Sequence, residues 1–566
     1  MKCKLLIVED QDQVAVAIEH QLMGIGKFHV DQSRSATQAI DRISAAHKRP
    51  YDIILCDYNL GETTNGQQLF EYLRFERKIP RSTAFIMLTA ESSYSAVASA
   101  VELVPDAYLL KPFTQDGLAQ RINLALAKRD ALKAAHAALD RKDPDWNAAT
   151  TACNTLILEG NRFALEALRL KAECQLKLGN WGEAATVYDK IIAWRPTAWA
   201  EVGRARALRG MGHPELALEK LKETLESFPQ FVAAYDELAA LAQERGETEL
   251  AQQILERAHA IVPSNRRTRE LGLLALENGD LEKASRYLQV VADKDRYGLM
   301  RSTEDFFGLV SALRQLGRHG EAVTVLDNLK DHFPETRPLT VRKMAAEAMV
   351  IAATGRVHDA RKMVRDALEL RDGRMEPRTQ LELADACYQC GEQAEANEIF
   401  LHVAANWQEN PKVVAQVKST MARLQNPEEA AAMIDGSLRE LVAINNQAAK
   451  LIKEGKLDEV VSKMEMVAKR LTNNATVQAN FTQALLLWLE HNAPPNLMAL
   501  PHHSKPRRYL SLARDHLKQL ALVNASHPRL AALQRLFAKF SGETGIAETA
   551  AKEALQEEAA SMIVGE

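Results

Sequence analysis

The sequence has little of what would mark it as exported, membrane-embedded or metal-stapled. Six cysteines are spread through 566 residues, too thinly for a disulfide framework. Cys387 and Cys390 form one C-x-x-C, but the surrounding spacing is helical and no second ligand pair lies nearby. A zinc site needs four convergent ligands, so this pair reads as helix-face packing. No apolar run approaches the roughly 20 residues that cross a bilayer. The first run, Leu5–Val8, is short and followed by acid, which suits a buried strand rather than a secretion signal. A cytoplasmic protein without membrane contact is expected. An excess of one charge is lacking too: Lys+Arg 71 against Asp+Glu 75 leaves −4, which excludes a general nucleic-acid binder. Helix-turn-helix, nucleotide-phosphate-loop and metallohydrolase signatures are also missing.

What is present divides into two stretches of different period, as the length of the chain requires. Up to about residue 128, short apolar runs (Leu5–Val8, Ile53–Cys56, Ala84–Leu88, Ala107–Leu110) alternate with segments of helical spacing. Those segments are Val14–Met23, Ala36–Ala46, Gln67–Arg74 and Tyr94–Leu103. Such alternation predicts an α/β doubly wound parallel sheet, five-stranded and covered on both faces. Ligands then gather at the carboxyl ends of the strands.

After residue 128 the strand signal gives way to a helical repeat. From Gly179, residues Ala184, Tyr188, Ile191 and Pro196 follow at offsets of five, nine, twelve and seventeen. The same offsets recur from Gly212, Gly246 and Gly317, ending in Pro229, Pro263 and Pro334. Gly279, Gly355 and Gly391 keep the alanine and lose the proline. Seven positions before these glycines stand Ala172, Ala205, Ala239, Gly272, Ala348 and Ala384, with Val310 the exception. Small residues let two helices approach, glycine relaxes the turn and proline stops the second helix. The spacing and positions resemble tetratricopeptide (TPR) repeats, implying an all-α solenoid over 141–410 whose surface binds another protein. Degenerate repeats are expected over 411–541, a helical linker over 129–140 and a carboxyl-terminal helix or tail over 542–566. Asn492–Arg508, with four prolines, reads as a loop with a basic end.

The chemistry lies in the first stretch. Glu9 and Asp10 end the first strand, Asp57 the third, Thr89 the fourth and Lys111 the fifth. Three carboxylates at one sheet edge repel unless a cation sits among them, and an incomplete oxygen shell suits Mg²⁺. With a hydroxyl and a mobile ammonium beside it, Asp57 has what in-line phosphoryl transfer to a carboxylate requires.

These residues, in this order, resemble the CheY-like receiver domain of two-component response regulators over residues 1–128. The resemblance implies that Asp57 is phosphorylated and that Asp10, Asp57 and the Asn59 backbone carbonyl bind Mg²⁺, with Glu9 helping through water. It implies that Thr89 contacts the phosphoryl group, Lys111 pairs with it, Lys111-Pro112 is cis and Tyr108 is the aromatic that turns inward as Thr89 engages. It also implies a sensor histidine kinase or phosphotransfer protein as partner, and a receiver able to pair with a second copy. Enzymatic chemistry is then limited to self-catalysed transfer onto Asp57 and its hydrolysis. The sequence departs from the family after Asp57: the loop to Gly66 lacks proline and is one residue longer.

Receiver plus TPR array resembles the TPR-containing response regulators of the VieB type, implying control by protein contact. A phosphorylation-gated adaptor or inhibitor is the leading expectation. A phosphoryl sink competing for a kinase, and a transcription regulator with cryptic DNA-binding helices, are alternatives. Gln115–Lys128 is expected to run into Arg129–Asp140 as one rigid helix.

Overall fold

The structure is a computed structural model describing residues 3–61, 64–89, 105–294, 302–373, 375–525 and 527–541. The helix expected over Tyr94–Leu103 and the terminal segment 542–566 lie outside the described residues. The chain divides into two compact units, Met1–Leu316 and Gly317–Glu566.

The first unit opens with a parallel five-stranded sheet of order β2-β1-β3-β4-β5. The strands are β1 (Cys3–Val8), β2 (Phe28–Ser33), β3 (Ile53–Asp57), β4 (Ala84–Thr89) and β5 (Ala107–Leu110). Helices α1 (Asp12–Ile25), α2 (Ala36–Ala45), α3 (Gly66–Phe75) and α4 (Gln115–Ala131) connect or follow them. Side chains alternate across a strand, so Leu6, Val8, Ile54, Cys56, Phe85 and Met87 pack beneath α2 and α3. Leu5, Ile7, Ile53, Leu55, Ile86 and Leu88 meet Ile18, Leu22, Leu118 and Ile122 of α1 and α4 on the other face. The inner strands are therefore continuous apolar runs. Edge strand β2 is Phe-His-Val-Asp-Gln-Ser, only partly buried, and its alternation hides it from a search for apolar runs.

α4 does not continue unbroken into the next segment. At Leu132 the backbone turns to φ −86°, ψ 4°, and α5 (Lys133–Leu139) resumes from there. The expected single rigid helix is thus interrupted. Leu132 is buried with Ala135, Ala138 and Leu139 against Ala149, Cys153, Ala167 and Leu170. Residues expected to be a linker therefore pack as part of the helical array. Arg129, at the end of α4, is anchored to Asp52 below β3 at 3.0 Å.

The array continues with α6 (Trp146–Leu158) and α7 (Ala164–Lys177), then α8 (Trp181–Trp194) and α9 (Ala198–Gly210). α10 (Pro214–Ser227), α11 (Val232–Glu244), α12 (Thr248–Ile261), α13 (Asn265–Glu277), α14 (Leu281–Lys294) and α15 (Thr303–Gln315) complete the unit. Gly179, Gly212, Gly246 and Gly279 sit in turns between paired helices at φ of 75°, 82°, 76° and 76°, a region closed to most side chains. Prolines act one residue back: Arg195 and Val262, before Pro196 and Pro263, are extended at φ −153° and −138°, as the pyrrolidine ring demands of its predecessor. Close packing is direct at Gly272, where an added Cβ would lie 2.6 Å from Leu288.

The second unit repeats the pattern with α16 (His319–Asn328), α17 (Arg337–Ala353), α18 (Val357–Glu369), α19 (Pro377–Gln389) and α20 (Gln393–Asn406). Beyond residue 410 the units lengthen: α21 (Pro411–Leu424) is followed by the 27-residue α22 (Pro427–Lys453). Then come α23 (Leu457–Arg470), the largely buried α24 (Ala475–Asn492), α25 (Lys505–Val523) and α26 (Leu530–Ser541). Gly455 again marks a turn at φ 73°. The proline-rich stretch after Asn492 is shorter than expected, because Lys505–Arg508 belong to α25 with proline in its first turn, where a missing N–H costs nothing. Lys505 there bonds Asp458 at 2.6 Å and lies over the rings of Trp488 and Tyr509. Cys387 and Cys390 are fully buried and free, with burial pushing Cys387 up to about 12. They pack as core residues. No described helix is long and apolar enough to cross a membrane.

Candidate functional site

The parallel register brings the expected residues to one edge. Val8 lies opposite Cys56, Asp57 opposite Leu88 and Thr89 opposite Leu110, so Glu9, Asp57, Thr89 and Lys111 leave adjacent strands side by side. One ligand oxygen from each of Glu9, Asp10 and Asp57 lies within 4.8 Å of the others. Lys111 reaches into the cluster, its Nζ 2.6 Å from Glu9 Oε2 and 3.0 Å from Asp57 Oδ2. Its backbone N–H donates to the Thr89 carbonyl at 2.7 Å, and Lys111-Pro112 is cis. Thr89 is buried at the end of β4. Tyr108 is half-buried on β5 and packs against the core beneath α2 and α3. Asn59 is exposed two residues after Asp57.

Electrostatics at this edge are unbalanced. Burial raises Asp57 above the ordinary carboxylate range, opposed by the charge and hydrogen bond of Lys111. Burial likewise raises Glu9, opposed by its hydrogen bond from Lys111. Burial pulls Lys111 down, but Glu9 and Asp57 outweigh it and hold the ammonium above its usual value. One cation cannot compensate three carboxylates, and buried Glu9 Oε1 and Asp10 Oδ1 accept no hydrogen bond among the described residues. Two orphaned anionic oxygens beside a third carboxylate are the donor set a small hard cation would complete. The residues fit Mg²⁺.

The longer loop after Asp57 is accommodated by two glycines. A side chain on Gly61, at φ 67°, would meet Asp10 Oδ2 at 2.6 Å, so the loop passes directly over the acidic cluster. Gly66 opens α3 with its N–H bonded to the Tyr58 carbonyl at 2.8 Å. A Cβ there would stand 2.2 Å from the Asp57 carbonyl oxygen. The first turn of α3 therefore rests against the backbone of the acceptor itself. The helix starts there because Asn65 and Gln68 form a reciprocal capping box.

A second polar cluster, at the opposite ends of the strands, has no sequence signature. Arg74 on α3 donates to the carbonyls of Pro80 and Thr83 at 2.7 and 2.8 Å and faces Asp106 at 3.6 Å. Asp106 also accepts from the Phe85 N–H at 2.9 Å and pairs with Lys128. Arg81, at the start of the β4 segment, donates its backbone N–H to Asp140 at 2.9 Å and its guanidinium to Glu173 of α7 at 2.8 Å. The sheet domain is thereby docked on the helical array within the first unit. α3 runs from Asp57 at one end to this seam at the other.

Comparison with known proteins matches this geometry. Residues 5–123 fit the response regulator receiver domain and residues 166–193 the tetratricopeptide repeat. The chain thus carries a CheY-like receiver followed by TPR repeats. The chemotaxis protein CheY1 of Helicobacter pylori (strain J99) is 25% identical over 127 residues, 22% of this chain and 99% of that protein. The uncharacterized transcriptional regulatory protein YkoG of Bacillus subtilis is 31% identical over 125 residues, 22% of this chain and 51% of that one. Among solved structures, the TPR protein YrrB is 18% identical, covering 33% of this chain and 93% of that chain at a TM-score of 0.29. A TPR protein from Parabacteroides merdae is 15% identical, covering 48% and 98% at a TM-score of 0.34.

Proposed function

We propose that this protein is a response regulator that accepts a phosphoryl group on Asp57 and uses its TPR solenoid as a protein-binding output gated by that group. The observation that carries the proposal is the path of α3, which abuts the Asp57 backbone through Gly66 and reaches the solenoid seam through Arg74 and Arg81. Asp57 would attack the phosphorus of a phosphohistidine donor on a sensor kinase or phosphotransfer protein, the P–N bond breaking as the P–O bond forms. Lys111, already within 3.0 Å of Asp57, would pair with the new phosphoryl oxygens, and the Thr89 hydroxyl would donate to them. Glu9, Asp10, Asp57 and the Asn59 carbonyl would hold Mg²⁺, which when bound neutralises carboxylate and phosphoryl charge. The added charge draws Thr89 and Lys111 inward, with Tyr108 following, and biases α3 and the seam.

Asp57→Asn should abolish labelling of the full-length chain by a small-molecule phosphodonor, read on a phosphate-affinity gel. Label persisting at another residue would overturn the assignment. Gly-Gly inserted after Arg129 breaks the α4 connection but leaves the α3 path intact. Control of partner binding should survive that insertion and be lost on Arg81→Ala.

A further inference from the structure

Within the first unit, α3 together with α5–α9, α11 and the start of α13 lines a cavity of about 970 Å³. We infer that it is a composite binding site for an acidic segment of a partner protein, one wall supplied by the receiver and the other by the repeats. The inference deepens the protein-binding reading above and rests on it.

The first ground is charge. Eleven lysines and arginines line the cavity against six carboxylates, although acids outnumber bases in the chain as a whole. Most of those carboxylates are already engaged. Asp106 is held by Arg74 and Lys128, Asp140 and Glu173 by Arg81, and Asp236 by Arg266 and Arg267. Glu71 accepts from Gln67 at 3.1 Å. Among the described residues, Glu166 has no such engagement, whereas Arg77, Lys78 and Lys177 line the cavity exposed and without an ion pair. A solute entering this space meets surplus positive charge in a concave, partly dehydrated setting, where such charge counts most.

The second ground is shape and backbone. Arg77 has φ 51°, the single non-glycine residue with positive φ among those described. It follows the end of α3, a cap position that glycine ordinarily fills. A cation is presented to the cavity at the cost of local strain, a pattern that clusters at ligand clamps. Beside it Phe75 is 56% exposed, and Trp146 and Trp199 of the helical array also line the cavity. Acidic residues interleaved with aromatic or aliphatic ones match this lining. Nucleic acid is the poorer match, because acids outnumber bases over the chain as a whole and a long polyanion would reach beyond the cavity.

Because α3 starts against the Asp57 backbone, whatever fills the cavity and whatever modifies Asp57 act on one helix, and the coupling is reciprocal.

The test is fluorescence anisotropy on the full-length chain. The probes are a labelled Glu-Phe-Glu-Ala repeat peptide of about 16 residues, its Lys-for-Glu counterpart and a single-stranded DNA, each at low and high salt. The Glu peptide should bind and weaken with salt, and the Lys peptide should not bind. Lys78→Glu with Lys177→Glu, both exposed, should weaken the Glu peptide at least tenfold with an unchanged melting curve. Lys412→Glu in the second unit should leave it alone. No binding of the Glu peptide, binding indifferent to the double variant, equal loss with Lys412→Glu, or tighter binding of DNA each overturns the inference. Repeating the titration with beryllofluoride on Asp57 separates the two readings. Peptide bound at the cavity equally with and without it keeps this site and removes gating from the proposed function.

Discussion

The receiver and the repeats handle buried charge in opposite ways. In the receiver, three carboxylates converge beside one ammonium, and two of their buried oxygens accept no hydrogen bond among the described residues. Along the repeats, charges are paired locally, from one helix to the next but one, so that each pair joins neighbouring repeats. Arg206 pairs with Glu237, Arg267 with Asp236 and Arg269 with Asp305 in the first unit. Arg342 pairs with Glu382 and Arg423 with Asp385 in the second. Convergent charge makes a reactive point, whereas distributed pairs hold helix to helix. The same residue types thus serve chemistry in one region and register in the other, and their environments decide which.

Substitutions can break that contrast, the largest effect lying at the reactive point. Gly66→Ala forces a methyl group into the Asp57 carbonyl and should cost about 3 kcal/mol. Phosphodonor labelling should fall with it, and a variant that labels like the native chain would show that α3 moves freely of Asp57. In the repeats, Arg269→Ala leaves the buried Asp305 carboxylate, 2% exposed, without its fork of two hydrogen bonds. A loss of about 3 kcal/mol is expected, visible as faster hydrogen exchange in α13–α15, with receiver labelling untouched.

Acid should act on the second unit through His516. Burial holds its pKa down to about 4, with Lys469 adding to the effect, while its Nδ1 lies 2.6 Å from Gln478 Oε1. The unfolded imidazole takes up a proton near pH 6.5 and the folded one does not. Stability is therefore full above that pH and falls as pH drops from about 6.5 to 4, by up to about 3 kcal/mol. His516→Gln should flatten the pH dependence of unfolding in α24–α25, and an unchanged slope would sink the assignment. The smallest effect is Gly182→Ala in α8, where an added Cβ meets nothing within 4 Å. It should raise stability by under about 1 kcal/mol, the reverse of Gly66→Ala.

Four strands are legible in sequence to within two residues: β1, β3 and β4 because inner parallel strands are apolar on both faces, and β5, although at the edge, because Ala107–Leu110 is an unbroken apolar run. The other edge strand, β2, is not, since it alternates and its His29 and Asp31 break the run. The repeat glycines were legible because each must adopt positive φ, and Gly179 through Gly455 do so. The acidic cluster was legible because strand ends are fixed points of the fold. The seam was not: Arg81 and Glu173 are 92 residues apart in sequence, and a long-range ion pair leaves no local spacing. The break at Leu132 leaves no signal in the sequence because it carries no glycine or proline. Lys505–Arg508 read as loop because prolines crowd the stretch before them, whereas the first turn of a helix accepts Pro506.

The cysteines, unremarked by the chemistry, have a practical consequence. None is exposed, and burial lifts Cys3 and Cys153 to about 11 and Cys174 and Cys387 to about 12. Cys56 and Cys390 are pushed up as well. Thiolate, not thiol, is the form that reacts, so the native chain is close to a blank for maleimide dyes at neutral pH. Two cysteines introduced at exposed positions on either side of the cavity could carry a donor and an acceptor without removing any native thiol. Distance changes on phosphorylation could then be followed molecule by molecule in the otherwise unaltered protein.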